Sequence, residues 1–285
     1  MMSTVKVLLL MALLTGMIYG ICYMLGFPPI FAILLALIPN LISYFYSDKI
    51  VLTSYGAKIV DENEAPNLHR IVESIANRAN IQKPKVAIIN TDTPNAFATG
   101  RSPKNGVVAV TTGILQLLNE QELEGVLAHE IGHIKHRDIL IGTIVATMAG
   151  AIMYIANFLQ WGMLFGYGRD DDGNPLQIVA SLLFIILAPI AAMVVQFAIS
   201  RQNEYNADEN GAKYSNPIYL ANALTKLEKG VKYHPLRNGS PATAHMFIVN
   251  PFKAGNVARL FSTHPSTEER VKRLMEMASN PKYLR

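Results

Sequence analysis

Cysteine is all but missing from this chain. The single one, Cys22, lies in an uncharged apolar run, so no disulfide framework is available, as a cytoplasmic domain leads one to expect. Charge is scarce too: 16% of residues are charged against 51% apolar, and mean hydropathy is +0.23. That balance is too apolar for an ordinary soluble domain. The scarcity concentrates in four stretches without any charge: residues 7–25, 29–46, 139–168 and 176–200. About 20 apolar residues cross a bilayer as a helix, so each stretch is a transmembrane candidate, the second being the shortest. No Asp, Glu, Lys, Arg or His falls inside them, which argues against a pump or channel. Asn40, Asn157, Gln160 and Gln196 read as helix-to-helix hydrogen bonders, and Pro39 and Pro189 as kinks. A signal peptide is the rival reading of residues 7–25. That run is longer than a typical signal core, however, and a second follows after Gly26-Phe27-Pro28, so a retained hairpin is expected. Repeats and low-complexity segments are also missing. So is any nucleic-acid motif or aromatic–basic interleaving, and the pI near 9.0 is assigned to anionic lipid rather than to nucleic acid.

The charges that exist are unevenly placed. Lys6 precedes the first run, and Arg169 shares its loop with Asp170, Asp171 and Asp172; the other 23 of the 25 Lys and Arg lie in segments 47–138 and 201–285. The positive-inside rule puts both segments in the cytoplasm. Four units are therefore expected: a transmembrane hairpin at 1–47, the first part of a cytoplasmic domain at 48–138, a second hairpin at 139–199, and the rest of the domain at 200–285. Helical periodicity marks 65–79 (Leu68, Ile71, Val72, Ile75, Ala76), and 217–229 and 265–278 read as further helices. Residues 83–90 and 106–110 are β-rich with a short strand at 95–99 between them, and 231–255 reads as irregular. The fold class is thus α+β, mainly helical, with a small β-sheet and four transmembrane helices.

Within the first cytoplasmic part stands His129-Glu130-Ile131-Gly132-His133. Histidines four apart on a helix stack on one face and can close on one metal ion, usually zinc. The glutamate beside the first histidine can take a proton from a water activated there. The motif needs a helix, and the flanks predict one: Asn119 and Glu122 form a capping box, and Leu123, Leu127, Ile131 and Ile134 repeat at three and four. Gly132, a poor helix former, suggests room for substrate or a neighbouring helix. Zinc needs a third protein ligand plus an open position. Glu204 suits it, one turn from Asp208 on the helix that continues the fourth run, with Asp208 holding a ligand histidine in its metal-binding tautomer. His136 lies about 10 Å along the axis from His129 and reads as interfacial. His69, His234 and His245 read as structural or exposed. His264, before Pro265 and six residues ahead of Arg270, is a weaker candidate for supporting the site.

Taken together, these segments resemble the HtpX family of membrane-bound zinc metalloproteases, distant relatives of the CAAX prenyl proteases. The resemblance rests on Asn-Ala-Phe-Ala-Thr-Gly at 95–100, Val-Leu-Ala-His-Glu-Ile-Gly-His-Ile at 126–134, Ser-Arg-x-x-Glu-Tyr-x-Ala-Asp at 200–208, and Phe-Ser-Thr-His-Pro at 261–265 with Arg270. It implies a zincin-like fold with one zinc ion on His129, His133 and Glu204 and with Glu130 as catalytic base. It also implies that the strand carrying Asn95 binds extended substrate backbone, and that His264 and Arg270 lie near the active site. Asn203 stands where relatives often carry arginine.

The expected protein is an integral membrane zinc endopeptidase of the bacterial cytoplasmic (inner) membrane, its catalytic domain facing the cytoplasm. It would cut misfolded or damaged membrane proteins in quality control and stress response, with other membrane proteases as possible co-workers. Two rivals stand: a CAAX-type prenyl-protein protease, and a non-catalytic membrane scaffold that uses zinc structurally.

Overall fold

The computed structural model describes residues 28–149, 201–237, 239–252 and 264–283, with scattered positions between 5 and 23. The first long element, helix α1 (Pro29–Ser54), contains the 29–46 run and outlasts it by two turns. Among the described residues it is the one helix long and apolar enough to cross a membrane. Ile30, Phe31, Leu34, Leu37, Leu41 and Phe45 are exposed along it, while Ala32, Ala36, Ser43 and Ser47 face inward. Of the other three expected spans, residues 150–200 lie outside the described residues and 7–25 are described only in part, so four spans are not established. What is described of the third is a twelve-residue apolar helix, α5 (Asp138–Ala149).

The remaining described residues build a four-stranded sheet and six more α-helices, one of which carries the metal motif. Strands β1 (Lys58–Val60), β2 (Lys85–Ile89), β3 (Ala96–Thr99) and β4 (Val107–Thr111) pair in the order β1-β2-β4-β3. β2 and β4 run parallel, and the two outer strands are antiparallel to their neighbours. All five residues of β4 are buried, as suits a Val-rich inner strand. Alternation sends Val86, Val108 and Val110 to a large core shared with the helices, and Ala87, Ile89, Ala109 and Phe97 to a smaller one with Val51 of α1 and Ala146 of α5.

Helix α2 (Pro66–Ala79) starts on proline and ends at Asn80 in the left-handed conformation, φ 54°. Next come a short α3 (Thr112–Leu117) and the metal helix α4 (Glu120–His136), whose capping box forms as the sequence predicts. The metal helix does not run straight into α5. Arg137 takes φ 63°, ends the helix and lets Asp138 begin a new one, a break that no glycine or proline announces. Helices α6 (Arg201–Tyr214), α7 (Pro217–Tyr233) and α8 (Thr267–Ala278) complete the domain, and α6 and α7 pack against α4. The segment read as irregular includes the last turn of α7, a 3-10 turn at Pro241–Met246 and a bridge from Phe247 to the sheet. β1 and α3 were not legible in the sequence, since three residues and six carry too little periodicity.

Glycine sets the approach of these helices. A Cβ on Gly132 would meet Cβ of Asn210 in α6 at 3.0 Å, so the neighbouring helix, rather than substrate, takes up that room. At Gly125 a Cβ would sit 2.6 Å from the backbone N of Leu220 in α7, where only a shift of backbone relieves it. Alanine favours a helix by about 1 kcal/mol over glycine, but overpacking against rigid structure costs about 1–3 kcal/mol. Gly125→Ala is therefore expected to lower the thermal midpoint of the protein in detergent; a raised midpoint would show that α4 and α7 can part cheaply.

Candidate active site

Four side chains from two crossing helices meet at the sheet edge. On α4, one turn of helix stacks the rings of His129 and His133, with centroids 4.8 Å apart and Nε2 atoms 3.2 Å apart. From α6, Glu204 places Oε1 3.5 Å from Nε2 of His133 and Oε2 3.9 Å from Nε2 of His129. The three offer ligand atoms that all lie within 4.8 Å of one another. Glu130, 1% exposed, joins them at a cavity of about 50 Å³. Ala98, Ile139, Ile141, Met246, Phe247 and His264 line it as well.

Whether these donors fit a metal ion can be judged from their own partners. Asp208, one turn beyond Glu204, holds Oδ1 3.0 Å from Nδ1 of His129. Accepting a hydrogen bond from Nδ1–H, that carboxylate would leave the Nε2 lone pair pointing at the cluster, the usual arrangement for a ligating histidine. Glu204 Oε2 is buried with no hydrogen-bond partner among the described residues. A buried carboxylate oxygen without a partner is costly, and a cation at the focus of the three donors removes that cost. The set therefore fits a divalent ion with two imidazoles and one carboxylate.

The charges around it explain the protonation states. Burial pushes His129 down to about 4, with Arg270 adding to the push against Asp208, so the ring is neutral as a ligand must be. His133 is half-buried, and Asp138, Glu204 and Glu130 outweigh desolvation and raise it to about 9, so a cation has to displace its proton for the ring to ligate. Burial would also raise Glu204, yet His264, His133 and Arg270 hold its carboxyl well below the usual range. Glu130 is the exception among the acids: burial dominates and lifts it to about 7, against His133 and a backbone N–H of Ala98. A carboxyl poised there can both take and return a proton near neutral pH.

Around the donors sits a second layer that short-range spacing could not reveal. Arg270, from α8, is 2% exposed and grips Asp208 with two hydrogen bonds, Nε to Oδ2 at 2.9 Å and Nη2 to Oδ1 at 2.7 Å. A third, from Nη1 to the carbonyl of Ile248, is 2.8 Å long. His264 brings Nδ1 to 3.0 Å from Glu204 Oε2, a close polar contact not aligned as a hydrogen bond. The sequence pointed to both. It did not point to Asp138, whose Oδ2 is 3.6 Å from Nδ1 of His133, nor to His245, which is buried on the cavity wall with Nε2 3.0 Å from the carbonyl of Gly142. His136 stays outside the cluster, its Nδ1 2.9 Å from the Gly132 carbonyl, and His69 contacts the Val60 carbonyl at 3.1 Å. Asn203 lines the cavity. Asn95 is fully buried: its Nδ2 donates to Val249 O at 2.7 Å and its Oδ1 accepts from Ala96 N–H at 3.0 Å.

A donor set of two histidines and a glutamate, with a spare glutamate in the same cleft, suits hydrolysis at a bound metal ion. Residues 62–278 match the model of Peptidase family M48, and the chain belongs to that family. It is 61% identical over 278 residues to a protein named Protease HtpX homolog of Methanocaldococcus jannaschii, covering 97% of this chain and 98% of that one. A second Protease HtpX homolog, of Burkholderia multivorans, is 50% identical over 99% of this chain and all of its own. The crystal structure of S. mikatae Ste24p matches with a TM-score of 0.46 at 18% identity, over 95% of this chain; the chain spans 65% of the length of that structure.

If Glu204 ligates and Asp208 only orients, their loss differs in degree. Glu204→Ala is expected to lose most of the bound metal, and Asp208→Ala to weaken binding by about 10–100-fold. Metal analysis after dialysis against a graded chelator decides it; equal metal in Glu204→Ala and wild type would remove Glu204 from the ligand set.

Proposed function

We propose that the chain is an integral membrane zinc endopeptidase that cuts unfolded or damaged membrane proteins at the cytoplasmic face. The observation that carries the reading is geometric: His129, His133 and Glu204 bring ligand atoms within 4.8 Å of one another, and the buried carboxyl of Glu130 lines the same cavity. One zinc ion held by these three would polarise the scissile carbonyl and lower the pKa of a water toward 7. The protein's own groups do the rest. Glu130 takes the proton of the attacking water and returns it to the departing amine. Asp208, clamped by Arg270, keeps the His129 ring in one tautomer and orientation. His264, against Glu204 on the cavity wall, is the side chain placed to donate to charge that builds on the carbonyl oxygen.

Topology supports the choice of substrate. The metal helix ends at His136, and the apolar α5 begins at Asp138, two residues on. His133 thus lies in the last turn before the apolar run, and Ile139 and Ile141 of that run line the cleft itself. A site so close to the apolar boundary is reached by segments lying at the membrane surface. Strand-wise pairing at β3 requires an extended chain, which folded domains seldom offer. Quality control of membrane proteins and cooperation with other membrane proteases accord with such a site.

Reconstituted vesicles test the chemistry and the location together. Wild-type protein loaded with zinc is expected to cut destabilised membrane proteins in cytoplasmic loops and juxtamembrane segments and to spare folded soluble proteins. Glu130→Gln is expected to keep its zinc and lose turnover by about 10²–10⁴-fold, the usual weight of a general base. Substantial residual cleavage by Glu130→Gln, or sites clustered on the opposite face, would contradict the reading.

A further inference from the structure

We propose that residues 246–249 are a built-in occupant of the β3 edge, leaving Ala98 as the point where a substrate backbone pairs, and that Asn95 sets this limit. The proposal rests on the protease reading above and concerns what that site accepts. β3 is the outer strand of the sheet, and successive residues turn their peptide groups to opposite sides. Thr111 N–H donates to Asn95 O at 3.0 Å, so Asn95, Phe97 and Thr99 address β4, while Ala96 and Ala98 address the open edge.

At Ala96 that edge is already filled. Its carbonyl accepts the N–H of Ile248 at 3.1 Å, its N–H donates to the Asn95 side chain at 3.0 Å, and Phe97 and Phe247 form an antiparallel bridge. The occupant is held at Phe247, Ile248 and Val249. Asn95 Nδ2 donates to Val249 O at 2.7 Å, and Arg270 Nη1 donates to Ile248 O at 2.8 Å. The ring of Phe247, 2% exposed, packs 5.2 Å from that of Phe97 and 5.1 Å from that of Tyr55. A segment anchored by a buried aromatic ring and a buried guanidinium is a fixed strap, not a lid. Among the described residues what remains is Ala98, which lines the catalytic cavity together with Glu130. A bound peptide therefore adds to the sheet at one residue, beside the scissile bond. On the side toward Asn95 it meets the strap in place of a strand, so longer substrates gain no backbone pairing there.

The test uses the full chain in detergent, loaded with zinc, and a ladder of fluorogenic peptides lengthened one residue at a time on either side of the cut. For wild type, kcat/KM is expected to level off on one side after the first residue. In Asn95→Ala, and in Ile248→Pro, which deletes the N–H given to Ala96, the flat side is expected to regain about fivefold per added backbone hydrogen bond. Hydrogen exchange at residues 247–249, read by mass spectrometry, is expected to be slow in wild type and faster in both variants at unchanged metal content. A ladder that climbs equally on both sides in wild type, or fast exchange at 247–249 in wild type, would overturn the proposal. If no peptide is cut, the protease reading fails, and the exchange data still decide whether the strap is fixed.

Discussion

The ion pair of Arg270 with Asp208 is the contact on which the rest of the site depends. Both groups are nearly sealed from solvent, and taking a guanidinium and a carboxylate out of water is expensive unless the geometry is close to ideal. Here it is a two-point grip of planar on planar, and the remaining donor of Arg270 finds the Ile248 carbonyl. From that anchor the order propagates. Asp208 fixes the His129 ring, His129 and His133 face Glu204, and Arg270 grips the Ile248 carbonyl of the strap, whose Ile248 N–H donates to Ala96 at the sheet edge. A single buried cation from the last helix thus ties the donor set and the substrate edge to one frame. Replacing it with an uncharged side chain would leave Asp208 buried and unpaired, a larger loss than the pair itself contributes.

Glu130 shows why the frame needs to be dry. In water its carboxyl would be fully ionised near pH 7 and a weak base. Burial beside Glu204 raises it to about 7, where proton uptake and release are both accessible. Burial by itself would do the same to Glu204, which instead is held well below the usual range by His264, His133 and Arg270. Two glutamates in one cleft are pushed apart by their neighbours, one toward a proton-transfer role and one toward ligation.

Much of the site was legible because helix spacing is a short-range code. His129, Glu130 and His133 fall within five residues, the capping box of Asn119 and Glu122 fixes their helix, and Glu204 and Asp208 share a turn. Contacts made across long separations were not legible in that way. Arg270 was suspected only as a residue near the metal, and its partner stands 62 residues away on another helix. Asp138 and His245 escaped because neither belongs to a pattern. The strap at 246–249 escaped because an isolated bridge has no periodicity to read. Asn95 was noticed for its place in a strand expected to hold substrate, whereas its side chain is spent on Val249 and Ala96. In the fold, the strongly periodic helices were placed within a turn, and the break at Arg137 was not foreseen, because arginine gives no local signal for a left-handed residue.

The central claim is an open metal centre made of two histidines and one glutamate. X-ray absorption on the zinc-loaded wild type and Glu204→Ala tests it most directly, because His264 lies only 3.0 Å from Glu204 and is the obvious competitor for the third position. The account predicts two imidazole nitrogens, one carboxylate oxygen and one exchangeable light ligand in wild type, with that shell degraded in Glu204→Ala. Three imidazoles, or four protein ligands and no exchangeable position, would contradict it.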